Sequence, residues 1–293
     1  MLKITHIINP VKVNESSDLF VAQPITFESM KAAQLFAKDK LDVSLVTTQY
    51  AEDREIIPSY FNITEDLESS VLDYGHFNKQ RKLPLINDIL QKSVDFNPEA
   101  DYIIYTNADI ALQPYFYLFV KEQIDKGLDA FVINRRTISN SYTSPKELSL
   151  MYSEIGEPHP GFDCFIFKRE FFEDFILNQV AIGISKIGVT LLSNILCFSK
   201  SFKIFEKEHL TFHIGEDKIW QNESLNDYYE FNKKQALQSF ESLLKIKPNL
   251  IEYKIFEKHY KLLKNEEQIY NVKKENKVSL LQRIKQKIKY FGK

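Results

Sequence analysis

Short runs of β-branched and aromatic residues alternate along this chain with longer stretches in which apolar positions return every three to four residues. Ile4 to Ile8 is the first such run, and Asn9-Pro10 stops it. A helix is expected from Thr26 to about Ala37, and a second strand from Val43 to Thr47. A polar stretch leads through Ile57-Pro58 to a helix starting at Leu83, with Pro84 in its first turn and apolar residues at helical spacing through Val94. Tyr102 to Tyr105 reads as the third strand, and Leu112 to Lys126 as a helix closed by Gly127. Ala130 to Ile133 and Cys164 to Phe167 read as the fourth and fifth strands, and Phe171 to Gln179 as a further helix. Strands alternating with helices argue an α/β fold built on a mainly parallel sheet with helices on both faces. After about Asn222 the pattern turns helical and polar, most clearly from Gln235 to Leu244. The expected organisation is an α/β domain over 1–222 and a helical extension over 223–293.

Composition narrows the class. A chain of 293 residues with 44% hydrophobic and 27% charged residues can bury a sizeable core. A net charge of −2 gives no reason to expect a nucleic-acid partner. The charge is uneven: from Lys273 onward eight basic residues face Glu275 alone. Within that tail Leu281, Ile284, Ile288 and Phe291 fall at helical spacing between Arg283, Lys285, Lys287 and Lys289. Such a helix suits peripheral contact of 277–293 with an anionic membrane, or packs its apolar stripe on the body. Cys164 and Cys197 lie in apolar surroundings without metal-ligand spacing, so two buried free thiols are expected. The N-terminal residues carry no signal-peptide pattern and no apolar run is long enough to span a bilayer. The expected location is the cytoplasm, including the inner face of the membrane.

Three segments carry candidate chemistry. In Ile103-Ile104-Tyr105-Thr106-Asn107-Ala108-Asp109-Ile110 a strand ends abruptly in two acceptor side chains one residue apart. Ligands collect at the carboxyl ends of strands in open α/β sheets, and such a pair can hold a hard cation and through it phosphate oxygens. An Asn and an Asp at a strand end also serve as turn and cap residues. In His159-Pro160-Gly161-Phe162-Asp163-Cys164-Phe165-Ile166-Phe167 a turn places Asp163 at the mouth of a very apolar strand. A carboxylate there needs a partner, which makes Asp163 a candidate substrate acceptor or general base; the plainer reading is a loop carboxylate satisfying backbone amides. In the third segment His209 and His213 stand four apart, but Leu210, not Glu, follows the first histidine. Thr211, Phe212 and Ile214 favour an extended segment over a metalloprotease helix. His213 is the better ligand candidate, because Gly215 permits close backbone approach.

Taken in order, the strand ending Thr106-Asn107-Ala108-Asp109-Ile110, the 159–167 segment and the later His213-Ile214-Gly215 resemble bacterial nucleotide-sugar glycosyltransferases of the GT-A type, over about residues 1–220. The resemblance implies that Asn107 and Asp109 stand in the positions of a DxD motif, and that Asp109 and His213 hold a divalent metal, Mn²⁺ or Mg²⁺. The metal would sit on the diphosphate of a nucleotide-sugar donor. Asp163 would be the catalytic base for a glycan or lipid-linked acceptor in cell-surface polysaccharide synthesis, with Glu216 and Asp217 in reserve. Arg135 and Arg136, just past the fourth strand, are candidates to bind phosphate or are surface charge. Arg81 and Lys82 resemble a basic position near the nucleotide. Asn107 in place of the first Asp lowers the charge available to a metal. It keeps open a non-catalytic nucleotide- or glycan-binding reading. A sugar nucleotidyltransferase is disfavoured, because Asn9-Pro10-Val11-Lys12-Val13-Asn14 contains no glycine-rich phosphate loop.

Overall fold

The computed structural model describes residues 1–215 and 225–267. The tail at 277–293 and the reserve carboxylates Glu216 and Asp217 lie outside these residues. Two sheets form the frame. The larger has seven strands in the order β10 (Phe202–Phe205), β6 (Ala130–Ile133), β9 (Cys164–Lys168), β4 (Tyr102–Thr106), β1 (Lys3–Ile8), β2 (Asp42–Thr47) and β3 (Asn62–Ile63). Its strands are parallel except β9, which pairs antiparallel with both β4 and β6. The smaller sheet has the order β5 (Ala111–Leu112), β11 (Thr211–Ile214), β7 (Arg136–Ile138) and β8 (Glu157–Pro158). The mainly parallel α/β sheet expected from the sequence is present.

Alternation along each central strand sends side chains to two different cores. Ile4 and Ile8 of β1, Ile104 of β4, Ile166 of β9 and Phe131 of β6 join Phe27, Met30 and Ala33 of α1 (Leu19–Ala37) and Phe116 and Val120 of α3 (Phe116–Asp125). Ile7, Ile103, Phe165 and Val132 point the other way. They meet Ile89 and Leu90 of α2 (Ile86–Phe96), Leu192 and Ile195 of α5 (Ile187–Phe198), and Leu237 and Phe240 of α6 (Asn226–Ile246). The C-terminal helix α6 therefore shares the core of the sheet. Asn232 binds it to the body at Ala181: Oδ1 accepts from the Ala181 N–H at 2.9 Å, and Nδ2 donates to the Ala181 carbonyl at 2.7 Å. Residues 254–267 are also helical and add Phe256 and Leu263 to the same cluster.

Several elements depart from the sequence pattern. Helix α1 opens at Leu19, well before Thr26, and carries Pro24 inside it. Burial of Ala22, Ile25 and Phe27 outweighs the lost backbone donor. The helix expected at Phe171–Gln179 is only a 3₁₀ turn over Arg169–Asp174. Beyond it the backbone of Ile176 is paired with the Asn194 side chain on α5, and Asn178 sits at φ 49°, which ends any helix. Leu112 belongs to β5 rather than to the following helix. Helix α5 and strands β7, β8 and β10 had no legible pattern. The α4 turn of helix (Leu148–Ser153) connects β7 to β8. Both cysteines are free and buried, as expected. Among the described residues no helix is long and apolar enough to cross a membrane.

Candidate active site

Three of the direct passages of the chain between the two sheets carry a candidate residue. It leaves β4 through Asn107-Ala108-Asp109-Ile110, a turn closed by the Ile110 N–H on the Asn107 carbonyl at 3.1 Å, and enters β5. It leaves β6 through Asn134-Arg135 and enters β7. It returns from β8 to β9 through His159 to Asp163. In the small sheet β11 lies between β5 and β7, with Phe212 paired to Ala111 on one side and to Arg136 on the other. His213, the next residue, is thereby held beside the Asn107–Ile110 turn.

His213 Nε2 lies 3.3 Å from Asp109 Oδ2. Its Nδ1 lies 2.7 Å from the carbonyl oxygen of Gly215, so Nδ1 carries the proton there and donates it. Gly215 adopts φ +71°, and a Cβ built there would stand 3.0 Å from Asn140 Cβ, so the turn that presents this carbonyl favours glycine. Burial pushes the Asp109 carboxyl upward, but the hydrogen bond from His213 and the charges of His213 and Arg135 outweigh it and hold it below the usual carboxylate value. The other oxygen, Asp109 Oδ1, is buried without a hydrogen-bond partner. Asn107 accepts a hydrogen bond on Oδ1 from the Tyr105 hydroxyl at 3.3 Å.

At the start of β9, Asp163 Oδ2 is also buried and without a hydrogen-bond partner. It stands 3.6 Å from Arg135 Nε and 3.5 Å from His159 Nδ1. That histidine nitrogen accepts the Gly161 N–H at 3.0 Å, so it does not donate to Asp163. Arg135 Nε likewise has no hydrogen-bond partner. The two neighbouring arginines do different work. Arg136 donates through Nε to the Ile155 carbonyl, through Nη1 to Lys207 O at 3.0 Å and through Nη2 to Gly156 O at 2.8 Å. Its guanidinium is thus tied to three backbone carbonyls, whereas Arg135 faces the carboxylates.

The structure keeps His209 out of this cluster: its Nε2 is 2.8 Å from the Gln113 side-chain nitrogen, and burial pushes its imidazole pKa down. Arg81 uses its backbone N–H on the Tyr228 hydroxyl. Lys82 lies at the carboxyl end of β2, with Nζ 3.8 Å from the centre of the Tyr50 ring and 2.7 Å from Glu52 Oε1. Cys164, fully buried beside Asp163, has a thiol pushed well up by burial and is no nucleophile. Sequence reasoning passed over Asn134 as a site residue. It follows a fully apolar strand as abruptly as Asn107 follows β4, and its Oδ1 is buried without a partner.

A divalent cation fits this arrangement as a two-ligand site. The donors are one carboxylate with a free oxygen and one imidazole whose far nitrogen is committed to a carbonyl, as metal-bound histidines are. Among the described residues no group of three or more His, Cys, Asp or Glu side chains is arranged to hold a metal, so further ligands would come from substrate or water.

No protein-family model matches the chain, and comparison with curated proteins returns no match. Among solved structures, residues 1–349 of TarS from S. aureus in complex with UDP-GlcNAc share 10% identity over 82% of this chain and 66% of that one, with a TM-score of 0.48. The same TarS fragment in complex with UDP shares 11% identity over 86% and 73%, with a TM-score of 0.47. A 4-diphosphocytidyl-2C-methyl-D-erythritol synthase from Anaerococcus prevotii shares 12% identity over 78% and 98%, with a TM-score of 0.38. The chain spans about two thirds of the TarS fragment solved with UDP-GlcNAc. All of these likenesses are too distant to bear on the chemistry of this chain.

Proposed function

We propose that this protein transfers a sugar from a nucleoside-diphosphate sugar to an acceptor hydroxyl, with the donor bound where the three crossings meet. The supporting observation is the pair of buried carboxylate oxygens without partners, Asp109 Oδ1 and Asp163 Oδ2, at one end of the sheet with Arg135 near both. Leaving such oxygens unpaired costs stability, and sites keep them where a ligand completes them.

Asp109 and His213 would hold a Mn²⁺ or Mg²⁺ ion, with Asn107 beside it. When bound, the ion supplies charge neutralisation to the diphosphate leaving group. Arg135 offers its remaining guanidinium donors to phosphate oxygens, a contact that strengthens as negative charge builds on departure. Asp163 Oδ2 accepts the proton of the acceptor hydroxyl as its oxygen bonds to the anomeric carbon and the bond to the diphosphate oxygen breaks. Arg136 takes no part in this chemistry: it holds the backbone after β6 in place, so that Arg135 is aimed. Residues 1–222 carry the transfer site in this reading, the helical segment that follows supports its core, and the acceptor is a glycan or a lipid-linked sugar.

Thermal unfolding with UDP, GDP, CDP and their sugar conjugates, with and without Mn²⁺, tests the proposal. The expected result is a Mn²⁺-dependent rise in melting temperature with one nucleotide family, absent in Asp109→Ala, and slow hydrolysis of the matching nucleotide sugar. Binding without turnover in any acceptor mixture would favour a non-catalytic nucleotide-binding role, and no shift with any nucleotide would defeat both.

A further inference from the structure

The residue before Asp163 is gripped by parts of the chain far from it in sequence. The Phe162 ring packs nearly perpendicular to that of His259, with ring centres 5.9 Å apart at 79°. His259 belongs to the helical residues 254–267. Burial first, and then the charges of Lys258 and Lys186, push its imidazole pKa down, so the ring packs as a neutral aromatic. The backbone of Phe162 meets Gly188, the second residue of α5. A Cβ built on Gly188 would stand 2.9 Å from the Phe162 carbonyl oxygen and 3.3 Å from the Phe162 Cβ. The start of α5 is itself tied down. Lys186, its N-cap, sits at φ 91°, a left-handed conformation that a non-glycine residue keeps only where its surroundings hold it. Its Nζ lies 3.0 Å from Glu266 Oε2 and 4.9 Å from the centre of the Tyr229 ring. The 254–267 helix thus holds both Phe162 and the start of the helix that abuts it.

We infer that Gly188 and His259 are positioning residues that set the place of the Asp163 carboxylate through Phe162. The inference rests on the reading of Asp163 as the base for glycosyl transfer and deepens it. The Phe162 carbonyl and the Asp163 Cα belong to one planar peptide unit, so a push on that oxygen is a push on Asp163. A base works only within hydrogen-bond reach of its proton, and a misplacement of about 1 Å costs about 10²-fold in rate. Gly188 leaves out the one carbon that would press on this peptide, and the His259 ring packs the Phe162 side chain in place. The helical extension thereby contributes to transfer without supplying a group to the chemistry.

Single-turnover hydrolysis of UDP-glucose, UDP-GlcNAc and GDP-mannose in Mn²⁺, with water as acceptor, reads the effect in a double-mutant cycle. Alanine is otherwise the better helix residue, so a loss in Gly188→Ala reports its contact with Phe162. Gly188→Ala is expected to lower the rate about 10- to 100-fold, with nucleoside-diphosphate affinity within about twofold of wild type. In an Asp163→Asn background the same substitution is expected to change the rate by less than about twofold, because a residue acting only through Asp163 has nothing left to position. His259→Ala is expected to lower the rate by a smaller factor, and His259→Phe, which keeps a ring against Phe162, to restore it; this pair decides the matter if Gly188→Ala does not fold. Losses that add in full to that of Asp163→Asn, an equal loss of nucleoside-diphosphate affinity, or wild-type rates in Gly188→Ala and His259→Ala would overturn the inference. If Asp163→Asn turns over at the wild-type rate, or no nucleotide binds the wild type, the glycosyl-transfer reading itself fails and this inference falls with it.

Discussion

His213 Nε2 faces Asp109 Oδ2 at 3.3 Å while its Nδ1 is 2.7 Å from the Gly215 carbonyl. Because the carbonyl claims the Nδ1 proton, a neutral His213 presents a lone pair to a carboxylate. That contact is unfavourable unless a cation lies between the two, be it a proton on Nε2 or a metal ion.

The Gly215 carbonyl therefore orients the ring, and its displacement should be felt at the metal. Gly215→Ala puts an L side chain at φ +71° with its Cβ 3.0 Å from Asn140 Cβ. The variant is expected to lose about 1–2 kcal/mol of stability and about 10- to 100-fold in Mn²⁺ affinity. Urea unfolding and Mn²⁺ titration check the two effects; an unchanged Mn²⁺ affinity would remove His213 from the metal site.

Asp163→Asn preserves size and removes the proton acceptor. Turnover of the nucleotide sugar is expected to fall by about 10²- to 10⁴-fold, with nucleoside-diphosphate affinity within about twofold of wild type. Single-turnover kinetics separates the two quantities. A variant that turns over at the wild-type rate would deny Asp163 the role of base.

Arg136 and Arg135 should differ in nucleotide binding. Arg136→Ala strands the carbonyls of Ile155, Gly156 and Lys207, and is expected to cost about 3 kcal/mol in urea unfolding with little change in nucleotide affinity at a temperature where the variant is folded. Arg135→Ala is expected to weaken nucleotide binding by about tenfold or more, and it also costs stability, because the buried Asp163 carboxylate loses the cation that faces it at 3.6 Å. If Arg136→Ala alone weakened nucleotide binding, the division of labour between the two would be reversed.

His6 is fully buried, with Nδ1 2.8 Å from the Tyr117 hydroxyl and Nε2 2.9 Å from the Thr106 hydroxyl. Hydroxyls satisfy a neutral ring in either tautomer, and burial lowers the pKa from 6.5 to about 3. The unfolded chain takes up a proton near pH 6.5 that the folded chain refuses until about pH 3. The stability this neutral ring supports is thus full above pH 6.5 and declines as the pH falls through that window, by about 1.4 kcal/mol per pH unit. His209 and His259, also pushed down by burial, act in the same direction. Between pH 7 and pH 5 the loss measured by urea unfolding is expected to be about 2 kcal/mol smaller in His6→Gln than in wild type.

The sequence by itself determined five strands of the larger sheet and, to within a residue, where they stop. Ile4–Ile8, Val43–Thr47, Tyr102–Tyr105, Ala130–Ile133 and Cys164–Phe167 were legible because a strand buried on both faces needs a short unbroken run of β-forming side chains, whatever packs on it. The positions of Asn107, Asp109 and Asp163 were legible for the same reason, as polar residues at the abrupt ends of such runs. Helix α5 was hidden because it is buried nearly all round and has no polar stripe to set a period. The 171–179 segment was misread because the backbone of Ile176 finds its partners on Asn194, a tertiary bond that local spacing does not encode.

Only the tertiary structure decided which of these ends meet. The pairing of β11 between β5 and β7 brings His213 to Asp109, residues far apart in the chain. The antiparallel insertion of β9 between β4 and β6 sets Asp163 level with Asn107 and Asn134. The difference between Arg135 and Arg136, adjacent and chemically alike, comes from which carbonyls lie within reach of each guanidinium. A hydrogen bond is a property of positions in space, and the pattern of apolar and polar residues records only which side of a strand is dry.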